Sequence, residues 1–169
     1  MKTYQASTEV DKINQETIEM FQANFGGPLV TAGDETYDDE RELWNKIIDK
    51  HPGIIAQCTG VSDVIQAVNF ARENDLLVSV RGAGHNVAGN ASIDNGLMID
   101  LSHMRTVMVN PQQKTAVVQG GATWGDVDRE TQAFNLACAG GVVSDTGVGG
   151  LTLGGGLSWF RRKVGMSID

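Results

Sequence analysis

The sequence predicts an α+β protein, and the order of its hydrophobic patterns carries that prediction. Patterns with a helical period occupy the first 50 residues, and short apolar runs typical of strands begin at Ile54. Several strand patterns then follow one another without helices between them. A regular array of β-α-β units would not show this, so we expect strands and helices that are partly segregated.

Two helices are predicted ahead of the first strand. Residues 8–25 carry a rough apolar stripe, and Thr8 with Asp11 has the spacing of a capping box. Residues 36–49 predict a second helix that ends before a His-Pro-Gly break. Its residues expected to face the core are Leu43, Trp44 and Ile47.

Strands and two further helices are predicted in the rest of the chain. The strand candidates are 54–58, 76–80, 97–101, 106–109 and 115–119. Ser62 is expected to cap a helix that runs to about Asn74. Its core-facing residues are predicted to be Val64, Ile65, Val68 and Ala71. Thr123 with Asp126 has the spacing of another capping box, which would open a helix to about Phe134.

Charge and composition restrict the classes of partner. A formal net charge of -8 makes nucleic acid and anionic membrane surfaces poor partners. No signal-peptide or membrane-spanning pattern occurs, which predicts a cytoplasmic protein. Cys58 and Cys138 lack metal-ligand or CxxC spacing and are predicted to be small buried thiols. The three histidines also lack ligand spacing, so no metal site is predicted, and His51 and His103 are interpreted as turn or surface residues.

The first glycine-rich loop, residues 80–89, follows a predicted strand. Its small residues would let backbone N–H groups converge on an anion such as a pyrophosphate. The loop lacks the GxGxxG spacing of a Rossmann fingerprint. The candidate binding residues in it are Arg81, Gly82, Ala83, Gly84, His85, Asn86, Val87 and Gly89.

The second glycine-rich loop, residues 140–156, lacks the Lys-Ser/Thr ending of a Walker A loop. Its Val, Leu and Gly residues suggest backbone packed against a flat apolar ligand, with a few polar groups for orientation. The candidate binding residues in it are Gly141, Val142, Ser144, Asp145, Thr146, Gly147, Gly149 and Gly150. Either loop alone is also typical of a tight turn between strands, whereas the pair suggests a dinucleotide held at both ends.

Four segments resemble motifs of one flavoprotein family. The segment RGAGHN at 81–86 resembles the family's RGGGH, and MIDLS at 98–102 its IDLS strand. The segment GGATWGDV at 120–127 resembles GAxWGDV. The run GVGGLTLGGGL at 147–157 matches GVGGLTLGGGLG, with Ser158 in place of the last glycine. The chain is therefore similar to the vanillyl-alcohol-oxidase superfamily with its PCMH-type FAD-binding domain, and within it to the berberine-bridge-enzyme-like branch.

The resemblance implies a two-lobed PCMH-type FAD-binding fold over residues 30–169, truncated before the substrate domain, with an N-terminal helical extension at 1–29. It implies FAD as the cofactor, with pyrophosphate near the first loop and the flavin ring beside the second. It further implies that His85 bonds covalently to the flavin 8α-methyl carbon. Val143 stands where some members carry a second linking cysteine, so at most one covalent link is expected.

The implied reaction is hydride transfer from a C–H group of an alcohol, sugar or amine to FAD, followed by reoxidation by O2 or another acceptor. No general base is assigned, because the family's catalytic residues are expected beyond Asp169. The expected partners are a small-molecule substrate and either a completing chain or a homo-oligomer. Three alternatives stay open: an inactive flavin-binding fragment, a noncovalent-FAD reductase of the UDP-N-acetylenolpyruvoylglucosamine type, and a nucleotide-binding module without redox chemistry.

Overall fold

The computed structural model describes residues 9–169, which form two compact units. Unit 1 consists of the described residues up to Arg81 together with Asn86–Asp100. Unit 2 consists of Gly82–His85 and Leu101–Asp169. Each unit combines helices with strands, which confirms the predicted α+β class. The predicted domain boundary between residues 29 and 30 stays a prediction.

Unit 1 is built on a four-stranded sheet in the order β1-β2-β4-β3. Its strands are β1 (Leu29–Val30), β2 (Ile54–Gln57), β3 (Val78–Arg81) and β4 (Leu97–Asp100). Strands β2, β4 and β3 are parallel, and β1 pairs antiparallel with β2. Every residue of β2 and β4 is buried, as expected for central parallel strands covered on both faces. The continuous apolar runs that predicted these two strands reflect that burial.

The N-terminal helical pattern forms two separate pieces. A 3-10 helix spans Val10–Lys12, and helix α1 spans Gln15–Asn24. The helix is interrupted because Ile13 and Asn14 adopt extended conformations, and Asn14 caps α1 by accepting a hydrogen bond from the Glu16 N–H. The prediction of one continuous helix over residues 8–25 is therefore wrong. Its proposed capping residue Thr8 lies outside the described residues.

The second predicted helix is much shorter than its pattern suggested. Helix α2 spans only Tyr37–Arg41, because the backbone becomes extended at Glu42. Leu43 is buried, as predicted, but Trp44 is 61% exposed and Ile47 is 88% exposed. The prediction that these two side chains face the core is wrong, since they lie in turns that follow the helix rather than on its inner face.

Helix α3 spans Val61–Glu73, and its N-terminus is fixed by Asp63 rather than by Ser62. The Asp63 carboxylate accepts hydrogen bonds from the N–H groups of Thr59 and Gly26 and from the Thr59 hydroxyl. This arrangement turns Asp63 inward and rotates the apolar stripe onto Ala67, Phe70 and Ala71. The predicted inward orientation of Ile65 and Val68 is consequently wrong, because they are 56% and 49% exposed.

Unit 2 contains a two-stranded hairpin and a capped helix. Its strands are β5 (Val107–Asn110) and β6 (Thr115–Val118), and its helices are α4 (Trp124–Gln132), α5 (Val148–Leu153) and α6 (Arg161–Val164). The capping box of Thr123 and Asp126 at the start of α4 is present, as the sequence predicted. Helix α4 ends slightly before the predicted limit.

The two cysteines differ in their surroundings. Cys58 is fully buried, as predicted, and burial raises the pKa of its thiol to about 12. Cys138 is exposed, so the prediction of a buried thiol is wrong there. Over residues 9–169, none of the helices has both the length and the apolar character needed to cross a lipid bilayer.

Candidate functional site

Residues Gly82–His85 of the first loop lie in unit 2. Gly84 has a φ of 72°, the left-handed conformation that glycine adopts without a Cβ penalty. Within the described part of the chain, the backbone N–H groups of Ala83 and Gly84 donate no hydrogen bond to another backbone group. These two N–H groups are therefore not used by other backbone groups, and their binding of an anion stays a prediction.

The second loop is positioned by the start of helix α4. The Trp124 N–H donates to the Thr146 carbonyl at 3.0 Å, and the Gly125 N–H donates to the Ser144 carbonyl at 2.7 Å. An isolated antiparallel bridge between Thr123 and Gly147 continues this pairing. The loop carbonyls thus satisfy N–H groups that the first turn of a helix leaves without intrahelical partners.

Glycines allow the two loops to approach each other within unit 2. A Cβ on Gly147 would lie 2.9 Å from the Cβ of Ala83. Cβ atoms on Gly82 and on Gly149 would each lie 3.1 Å from the carbonyl oxygen of Gly120. Residues predicted from two loops about 60 positions apart are therefore neighbours in the fold.

His85 meets the second loop through Asp145. The His85 Nε2 atom lies 3.8 Å from the Asp145 Oδ1 atom, which is an electrostatic contact rather than a direct hydrogen bond. The His85 side chain is 22% exposed, whereas that of Asp145 is 64% exposed. An imidazole that is largely enclosed beside an exposed carboxylate can be oriented and still be reached by a ligand.

Asp126 anchors the α4 end of this arrangement. Its carboxylate accepts from the N–H and hydroxyl of Thr123 and forms a two-pronged contact with Arg105 at 2.9 and 3.0 Å. Burial alone would raise the pKa of Asp126, but the hydrogen bonds from Thr123 and Arg105 outweigh it and lower that pKa. The sequence predicted the cap but not Arg105, since no local pattern links a residue in the irregular segment before β5 to a carboxylate 21 positions later.

Arg81, Asn86, Val87 and Gly89 belong to unit 1. The Arg81 guanidinium is buried and bound to Asp100, so only the backbone of Arg81 is open to the predicted cofactor role. The other three residues lie in a turn in which the Gly89 N–H donates to the Asn86 carbonyl. Gly89 has a φ of 76°, again a conformation that favours glycine.

Side chains from outside the motif hold this turn in unit 1. Asn45 donates to the Val87 carbonyl at 3.0 Å, and the Lys50 ammonium donates to the Gly89 carbonyl at 2.9 Å and to the Ser92 carbonyl at 3.0 Å. The sequence did not single out Asn45 or Lys50, because their partners lie about 40 residues away. They stabilise the turn through its carbonyls.

The residues present fit a flat cofactor with a charged tail. A Cβ added to Gly150 would meet no protein atom within 4 Å, and its φ is not positive, so neither packing nor backbone conformation explains the glycine. Val142 and Val143 expose apolar surface in the same loop, and Trp124 has a buried Nε1–H without a partner in the described chain. Over residues 9–169, no cluster of His, Cys, Asp and Glu is arranged to hold a metal ion.

Known proteins are similar to this chain in sequence and in fold. The FAD binding domain family model matches residues 52–169. An uncharacterised FAD-linked oxidoreductase of Bacillus subtilis, YgaK, is 34% identical over 150 residues, which is 89% of this chain and 33% of that protein. The crystal structure of 6-hydroxy-D-nicotine oxidase from Arthrobacter nicotinovorans superimposes with a TM-score of 0.82 at 31% identity, covering 85% of this chain and 32% of that one.

A berberine-bridge-enzyme-like protein of Physcomitrella patens also superimposes, with a TM-score of 0.81 at 25% identity over 89% of this chain and 33% of that one. The chain thus spans about a third of the length of the relatives that it matches. A family match over most of the chain and a shared fold agree with the motif resemblance. The chain therefore belongs to the FAD binding domain family, and its fold is that of the PCMH-type flavin oxidoreductases of the vanillyl-alcohol-oxidase superfamily.

Proposed function

We propose that this chain is the FAD-binding portion of an oxidase or dehydrogenase that acts on a C–H group of an alcohol, sugar or amine. The observation that carries the proposal is the approach of Gly82–His85 to Ser144–Gly147 within unit 2. When bound, FAD would accept a hydride from the substrate and pass the electrons to O2 or another acceptor. The contribution of this chain's own residues would be to bind and orient the cofactor.

Two sets of backbone groups would hold FAD. The N–H groups of Ala83 and Gly84, which have no backbone partner in the described chain, would bind phosphate oxygens. In the second loop, the Gly141–Asp145 segment donates no backbone hydrogen bond to other backbone groups within residues 9–169, so its N–H groups could bind the polar edge of the flavin. Helix α4 keeps this loop in place by binding the carbonyls of Ser144 and Thr146.

We further propose that His85 carries the flavin through its 8α-methyl carbon. The Asp145 carboxylate, whose Oδ1 atom lies 3.8 Å from the Nε2 atom of His85, would help to orient the imidazole toward the flavin. An imidazole nitrogen with a free lone pair would form the C–N bond. That bond would replace a C–H bond of the 8α-methyl group and the N–H bond of the imidazole, and the two electrons released would reduce the flavin, which O2 would reoxidise. Val143 at the alternative cysteine position leaves His85 as the single proposed attachment point.

Acid precipitation after incubation with FAD tests this proposal. Wild-type protein should retain flavin fluorescence in the washed pellet, and His85→Ala should lose it. His103→Ala is a matched control, because His103 is an exposed histidine, and its pellet should keep the flavin. Equal flavin in the His85→Ala pellet would overturn covalent attachment at this residue.

The alternatives give different results in the same assay. Flavin that appears only in the supernatant, together with its reduction by NADPH, would favour a reductase with noncovalent FAD. Bound flavin that no alcohol, sugar or amine reduces would favour an inactive fragment. Protein that binds adenine nucleotides but never flavin would favour a nucleotide-binding module.

The proposal includes a small-molecule substrate and a covering polypeptide, either a completing chain or a second copy. Three apolar side chains near the end of unit 2 support the covering polypeptide: Leu153, Trp159 and Ile168 are 91%, 75% and 72% exposed. Apolar surface of this kind commonly marks an interaction site. Light scattering of the purified chain over a concentration series distinguishes self-association from a requirement for a different chain.

A further inference from the structure

Arg81 directly precedes the glycines of the first loop, but its side chain forms hydrogen bonds with residues of unit 1. The guanidinium forms a two-pronged pair with Asp100, with Nε–Oδ1 at 3.0 Å and Nη2–Oδ2 at 2.7 Å. Arg81 is 8% exposed and Asp100 is fully buried. Planar pairing of this type is both strong and geometrically specific.

The remaining donors of Arg81 also have acceptors. Nη1 donates to the Glu40 carbonyl and, at 3.4 Å, to the Glu42 carbonyl, and Nη2 approaches the Glu40 carboxylate at 3.4 Å. A guanidinium has five N–H donors. All five are therefore directed at acceptors of unit 1, and none is left for a phosphate oxygen.

The electrostatics of this cluster are also unsuited to an anionic ligand. Burial would lower the pKa of Arg81, but the hydrogen bonds and charge of Asp100, with help from Glu40, outweigh it and raise that pKa. One buried cation therefore faces two carboxylates. The cluster offers no excess positive charge with which to attract a pyrophosphate.

The ion pair lies where the chain passes between the two units. Arg81 and Asp100 are paired in register at the ends of the parallel strands β3 and β4. Unit 1 gives way to unit 2 immediately after each of them, at Gly82 and at Leu101. The pair therefore fixes the backbone that directly precedes the first loop.

We propose that Arg81 is a positioning residue, which holds the backbone of Gly82–His85 in its ligand-binding conformation and leaves the phosphates of FAD to backbone N–H groups. This inference rests on the proposed function, since it concerns how the same site binds FAD. It reverses the direct interpretation of an arginine in a phosphate-binding motif, in which the guanidinium itself binds the anion.

Paired substitutions separate the two roles. If Arg81 only positions the loop, Arg81→Met and Asp100→Asn should each weaken FAD binding by about tenfold or more, because each leaves a buried polar group without its partner. The double variant Arg81→Met/Asp100→Leu replaces the pair with apolar side chains, an exchange that proteins often tolerate. It should bind FAD within about threefold of wild type.

The opposite pattern would overturn the inference. A guanidinium that binds phosphate would make the double variant as weak as Arg81→Met, while Asp100→Asn would bind FAD normally or more tightly. Riboflavin, which lacks phosphates, provides the second ligand. A positioning role predicts that Asp100→Asn weakens FAD binding far more than riboflavin binding, because only FAD has phosphates for the N–H groups of Ala83 and Gly84. The double variant should then return FAD affinity to near the wild-type value.

Hydrogen exchange on the ligand-free protein tests the inference without any flavin. Glu40→Gln weakens the cluster at a residue whose side chain is 34% exposed, so this variant should remain folded. Its backbone amides at residues 82–85 should exchange faster than those of wild type, while those of β5 and β6 should not change. Unchanged exchange at 82–85 would contradict the inference, and this result stands even if the wild-type chain binds no FAD.

Discussion

The central strands of unit 1 are closed to solvent, whereas the hairpin of unit 2 is largely open. In β4, Leu97, Met98 and Ile99 are 0–2% exposed, but in the hairpin Met108 and Val117 are 61% and 64% exposed. The glycine-rich loops of unit 2 are held by close backbone contacts at glycines and by the hydrogen bonds around Asp126. Side-chain burial thus stabilises the sheet of unit 1, and backbone geometry stabilises the loops of unit 2.

The largest expected effect tests whether side-chain burial stabilises the sheet of unit 1. Ile99→Ala should lower the free energy of unfolding by about 2–5 kcal/mol, because it removes a buried side chain and leaves a cavity. Val117→Ala in β6 is the matched control and should change the same free energy by less than about 0.5 kcal/mol. Urea unfolding measures both, and equal losses would show that the hairpin is as tightly packed as the sheet.

The next effect concerns backbone contact in unit 2. Gly147→Ala should lower the free energy of unfolding by about 1–3 kcal/mol, since the new methyl group would crowd the Cβ of Ala83 and force the loops apart. Thermal unfolding followed by circular dichroism measures the loss. An unchanged melting temperature would mean that the two loops are not held in contact in solution.

Asp126 gives unit 2 a dependence on pH. Because its pKa is lowered in the folded state, its contribution to stability is present above the unfolded value of about 3.9 and is lost as pH falls through the folded pKa. Asp126→Asn should therefore lower the free energy of unfolding by about 1–2 kcal/mol at pH 7. Urea titrations should show the wild type and the variant converging as pH falls from the unfolded value through the lowered folded pKa, and a difference independent of pH would contradict this role.

The substitution with the smallest expected effect on stability is the most specific test of the FAD site. Gly150→Ala introduces a methyl group into open space within α5, so it should leave stability unchanged or raise it by about 0.5 kcal/mol. If Gly150 is present for the flavin, the same change should weaken FAD binding by about tenfold or more in a fluorescence titration.

Gly33→Ala is the control for this substitution, because a Cβ on Gly33 also meets no atom within 4 Å and the residue lies outside both loops. It should leave stability and FAD affinity as they are in wild type. Normal FAD binding by Gly150→Ala would show that the second loop is not part of the FAD site. It would not affect the assignment of the fold.

Local signals explain which parts of the fold the sequence predicted. The apolar runs of β2 and β4 and the capping box of Thr123 and Asp126 depend on neighbours within a few residues, and all are present. The orientation of α3 was wrong because Asp63 turns inward to bind Gly26, a partner 37 residues away. Long-range pairing of this kind leaves no trace in hydrophobic periodicity.

The same difference between local sequence signals and long-range pairing applies to the candidate site. Motif resemblance selected the glycines of both loops, and residues 82–85 of the first loop meet the second loop in unit 2 around His85, Asp145 and Gly147. It also selected Arg81, but the motif could not reveal that Asp100 and Glu40 occupy its guanidinium. Backbone roles are encoded in local glycine spacing, whereas the role of a long charged side chain depends on tertiary partners.

Covalent attachment at His85 is tested by peptide mapping with mass spectrometry of protein that has been incubated with FAD, denatured and digested. We expect that the peptide containing His85 carries the mass of FAD, that the modification disappears in His85→Ala, and that peptides containing His51 and His103 are unmodified. Flavin attached to a different residue, or an unmodified His85 peptide from protein that has bound FAD, would contradict this expectation.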